Sequence, residues 1–116
     1  MAKFDFQDGN GPVPAHRHPN GGGWVADTAT VDASAYVGEN ARVSGNARVS
    51  GEAQVSGTAR VFSDAQVSDT ALVSGEAQVS GTAQVYGNAR VSGTARVCGT
   101  ARVFGSQTIT KGEVHK

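Results

Sequence analysis

Residues 41–60 read A-R-V-S-G-N-A-R-V-S-G-E-A-Q-V-S-G-T-A-R, and this stretch decides the fold. A valine returns at Val43, Val49 and Val55, six residues apart, with Ala41, Ala47 and Ala53 two positions before each. Extended in both directions, the period holds without a break from Val25 to Ile109. The alanine register runs from Ala29 to Ala101, and Gly follows most of the valines by two positions, as in Gly45, Gly57, Gly75 and Gly99. The unit is A-x-V-x-G-x. Six residues advance a helix by about 1.7 turns, which would scatter the valines over its whole surface. In a strand, Ala and Val point to one face while the residues between them point to the other. The Gly-x pair then makes a corner, because Gly tolerates backbone angles closed to other residues.

The rest of the composition fits one small repetitive domain. The chain has 116 residues, ten Lys plus Arg against ten Asp plus Glu, and 38% hydrophobic residues drawn chiefly from Val and Ala. Sixteen glycines and that low hydrophobicity resemble a disordered linker, but a linker has no reason to hold a register. Balanced charge excludes the basic footprint of a non-specific nucleic-acid binder, so a nucleic-acid partner is not expected. No apolar run approaches the roughly 18 residues of a membrane span, so no membrane partner is expected either. Cys98 stands alone, which excludes an internal disulfide framework and leads to an expected cytoplasmic location.

The unbroken hexads resemble the hexapeptide-repeat proteins, and the A-R-V-S-G-N and G-G-W-V strings are similar to the short bacterial and phage members often labelled transferase-like. The resemblance covers about three quarters of the chain. One departure is that Gly stands two positions after the aliphatic residue, where many members place it directly after. The fold class so implied is all-β: a single-stranded, left-handed parallel β-helix of about five triangular coils with N- and C-terminal caps. The left hand is a family property, since the general crossover rule favours the right. The expected organisation is a cap and Pro/Gly-rich joint at 1–24, the β-helix at 25–109, and a cap or tail at 110–116. Phe4, Phe6 and Trp24 are expected to cover the first coil, with Pro12, Pro14 and Pro19 stopping further strand pairing.

Eighteen residues per coil allow the outward rows to be written down. One face carries Arg42, Arg60, Gln78 and Arg96 beside Ser44, Phe62, Ser80 and Cys98. The second carries Arg48, Gln66, Gln84 and Arg102 beside Ser50, Ser68, Tyr86 and Phe104. The third carries Tyr36, Gln54, Leu72, Arg90 and Thr108. Like charges on neighbouring strands repel, so Arg42, Arg60, Arg96, Arg48 and Arg102 read either as a solvated face or as ligands for an anion such as a nucleotide phosphate between subunits. Tyr86 and Phe104 should be neighbours beside Arg102, the composition of an interface, and Phe62 and Leu72 suggest similar contacts elsewhere. Apolar spots on all three faces favour a closed homotrimer.

Catalytic and metal readings are thinner. His16 and His18, spaced i, i+2, are weak metal candidates that would need a third ligand. Hexapeptide-repeat carbonic anhydrases hold zinc with three His beside their coils, and the family's acyltransferases use a His base. No His occurs here between Pro19 and Val114, and His115 lies at the far end. Cys98 has no His or Lys in its own row. The expected function is therefore a non-enzymatic, self-assembling β-helix acting as a rigid structural or interaction module, without a cofactor. A binder of a phosphorylated small molecule and a residual acyltransferase are the alternatives.

Overall fold

A computed structural model describes residues 3–5, 12–110 and 112–114. Its regular part is a β-solenoid in which each hexad contributes one short strand. Strands β6 (Arg42–Val43) to β16 (Arg102–Val103) follow one another at six-residue intervals, preceded by β3 (Trp24–Ala26), β4 (Thr30–Val31) and β5 (Tyr36–Val37). Each strand pairs in parallel with the strand eighteen residues later, as Arg42 with Arg60 and Val43 with Val61. Three sheets result: β3-β6-β9-β12-β15, β4-β7-β10-β13-β16 and β5-β8-β11-β14, the last ending on β17 (Thr108–Ile109).

The alternation predicted from sequence places the core. Val25 and the valines from Val37 to Val97 are fully buried, with Ala35 to Ala95 between them. One continuous cluster runs from Val25 to Val103. Because each valine stacks on the next coil's valine, burial accumulates by repetition, as in other solenoids. Corner glycines are held by two constraints at once. Gly57 has φ +64°, and a Cβ there would lie 2.8 Å from both N and O of Gly75 in the next coil. Two corners break the rule: Ser63 and Asp69 take φ of 61° and 60° without being glycine. Asp69 gains a compensating contact, since its Oδ2 accepts the Gly87 N–H at 3.1 Å.

Both ends add strands that the six-residue period does not announce. Pro12 and Pro14 do not stop pairing. They lie in β2 (Pro12–Arg17), which pairs antiparallel with β1 (Lys3–Asp5) on one side and with β3 on the other. The prolines occupy the half of β2 that meets β1, while Ala15, His16 and Arg17 meet β3, where donors are needed. Pro14 still accepts through its carbonyl, from the Asp27 N–H. Residues 18–23 lie along β5 in place of an earlier coil: Gly23 N–H donates to Val37 O and Val37 N–H to Asn20 O. At the other end the repeat does not stop at Ile109. β18 (Glu113–Val114) adds a rung beside Arg96–Val97, reached in five residues instead of six. Phe4's side chain, Phe6, His115 and Lys116 lie outside what is described.

Candidate functional site

Outward residues sit in the rows expected. On the first sheet Trp24, Arg42, Arg60, Gln78 and Arg96 stand one above another. Trp24 is therefore not a cover for the coil's end. It heads this row, half-buried against Ala15 and Ala26, with the Arg17 guanidinium 4.8 Å from its ring centroid. A cation over an indole face at that distance is an attractive contact. Arg17 also donates from Nη1 to Gly22 O at 3.0 Å, which fixes it over the ring. Arg17, Trp24, Glu39, Arg42, Thr58 and Arg60 line a groove of about 390 Å³. Sequence reasoning missed Arg17 as part of this group because it arrives from outside the repeat.

The five arginines singled out do not form one site. Arg42 and Arg60 are direct neighbours, whereas Gln78 separates Arg60 from Arg96. On the second sheet Gln66 and Gln84 stand between Arg48 and Arg102. Arg48 instead lines a shallow groove of about 350 Å³ with Thr30, Asp32, Ser50, Gln66 and Ser68.

His16 and His18 are held by different partners. His16 Nδ1 lies 2.8 Å from Asp27 Oδ1, both side chains exposed. His18 is buried, its Nε2 2.8 Å from the Ala35 carbonyl. A carbonyl only accepts, so Nε2 carries the proton. In the regular coils this acceptor takes a backbone N–H from the preceding turn, as Ala59 O does from Arg42. His18 thus replaces a missing backbone donor, a role with no periodic signal in the sequence. No three metal-ligating side chains gather among the described residues.

Two aromatic side chains are in direct contact. The rings of Tyr86 and Phe104 stack with centroids 5.4 Å apart and planes 11° apart. Among the described residues the exposed large hydrophobics are Tyr36 and Phe104, at 37% and 48%. Phe62 and Leu72 are half-buried. Tyr86 and Phe104 directly follow strands of the second sheet and Tyr36 opens a strand of the third, so all three flank the corner between these sheets.

The comparisons with known proteins agree with the architecture and stop there. The model of the YdcK beta solenoid repeat matches residues 41–57 and 83–94. No curated protein and no solved structure matches the chain. What the matched repeat and the structure share is a β-solenoid, and the chain is similar to that repeat over those two stretches.

Proposed function

We propose that this protein is a rigid, non-enzymatic module that assembles with copies of itself through the edge between its second and third sheets. One observation carries the reading: the exposed aromatics are gathered on that edge, with Tyr86 and Phe104 pre-stacked. Aromatic side chains with neighbouring arginines are enriched at interface centres and contribute disproportionately to binding. A solenoid whose core is fixed by stacked rungs needs no reorganisation to present such an edge. Replacing Tyr86 and Phe104 by Ser should lower the oligomer's mass in light scattering while leaving the β-rich circular dichroism intact. An unchanged mass would end this reading. The trimer favoured from apolar spots on three faces remains a stoichiometry for the same measurement to read.

The groove beside Trp24 supports a second reading, a small anion. Arg17, which lies on the Trp24 ring, lines it with Arg42 and Arg60, and guanidinium groups suit phosphate or carboxylate. A thermal shift with a panel of nucleotides, lost on Arg60→Ala, is the expected result. No shift with any of them would exclude it.

A further inference from the structure

The edge between the second and third sheets is divided by charge as well as by hydrophobicity. Its first three turns carry Asp32, Glu52 and Asp69, all exposed. Its later turns, Gly87–Asn88 and Gly105–Ser106, carry no acid. Beside them stand exposed Arg90 on the third sheet and exposed Arg102 on the second. The aromatic residues are divided too: Tyr36 lies at the acidic end, Tyr86 and Phe104 at the basic end. Arg48 is the one Lys or Arg flanking the acidic half of this edge.

We infer that two copies pair antiparallel along this edge, about a two-fold axis level with the Asp69–Thr70 turn. The inference rests on the self-assembly reading above and adds its geometry. Coils rise by about 4.8 Å, so Asp32 and Arg102 stand roughly 19 Å apart along the axis, on either side of that turn. Rotation about the two-fold brings Asp32 level with the partner's Arg102, and Glu52 level with the partner's Arg90. The same rotation sets Arg48 level with the partner's Tyr86, where a cation meets an aromatic face. Asp69, closest to the axis, and Asp32 each accept the N–H of a glycine in the next coil through Oδ2, from Gly87 and Gly51. A two-fold contact uses one patch twice, so the patch must complement itself, which an edge divided into opposite halves does. Parallel pairing along the edge would instead set Asp32 against Asp32 and Glu52 against Glu52. End-to-end stacking meets an N-terminal end where β2 already pairs with β3 and residues 18–23 already pair with β5.

Cysteine cross-linking of the full chain decides the direction. On a Cys98→Ser background, Ala33→Cys and Ser106→Cys place thiols at opposite ends of the edge. Mixing the two variants under mild oxidation should give a species of two chains, and neither variant alone should do so. Ala33→Cys cross-linking with itself would establish parallel pairing and overturn the inference. No cross-link in any mixture, with an oligomer still seen by light scattering, would overturn the antiparallel edge and leave self-assembly standing. A monomeric mass for the unmodified chain would remove both. Charge reversal gives an independent reading: Glu52→Arg and Arg90→Glu should each raise the dimer dissociation constant at least tenfold, and the doubly substituted chain should recover most of it. Failure to recover would also count against the pairing, because these two residues are about two coils apart within one chain.

Discussion

The coils up to Glu76 and the coils after it have the same interior and opposite exteriors. Inside, Val43 and Val97 occupy equivalent rungs and are equally buried. Outside, residues 12–76 hold seven carboxylates against four arginines, a net −3, while residues 77–110 hold three arginines and no carboxylate, a net +3. Formal neutrality therefore conceals an axial separation of charge. One register of the repeat specifies the solenoid, and the positions it leaves open carry whatever distinguishes one end from the other. Surface charge of this kind governs association and has little bearing on the fold.

The comparison breaks most severely from the inside. Val73→Asp puts a carboxylate among fully buried Val and Ala, and we expect a loss of roughly 4 kcal/mol or more, enough to abolish a cooperative melt. The same change at Ser74, the half-buried residue just past the same strand, should cost far less, about 1 kcal/mol or under. Next comes His18→Ala, which removes the donor to Ala35 O and should cost about 1–3 kcal/mol. Faster hydrogen exchange at Val37, whose amide is held by Asn20 O, would locate that loss at the N-terminal end.

Corners sharpen the comparison at smaller scale. Gly57→Ala adds a Cβ against the Gly75 backbone at positive φ and should cost about 1–3 kcal/mol. Asp69 already bears a side chain at such an angle. Asp69→Ala keeps the unfavourable φ and loses the bond to Gly87 N–H, a cost of about 1 kcal/mol by chemical denaturation. Asp69→Gly relieves the angle as it loses the bond, so its stability should stay within about 0.5 kcal/mol of the parent. A large loss in the glycine variant would mean that the carboxylate does more than cap its neighbour.

How much the sequence discloses depends on whether a feature repeats. Val25 to Ile109 define the rungs, the core and the outward rows because one spacing serves every coil, and the Tyr86–Phe104 contact follows from it. Features outside the period are not legible in this way. β2 contains two prolines, and its pairing depends on which half of the strand meets β1. β18 is displaced by a single residue, so Val114 falls out of a search at six. His18 and Arg17 act through contacts with Ala35, Gly22 and Trp24 that no spacing announces. The arginine rows were legible as rows, but the groove was not, since half its character comes from Arg17 and Trp24.

The mass of the native chain in solution tests the account most directly. Light scattering at micromolar concentration and 0.15 M salt should give a multiple of 11.8 kDa, falling towards one chain in the Tyr86→Ser/Phe104→Ser variant. A mass of 11.8 kDa for the unsubstituted protein would contradict it.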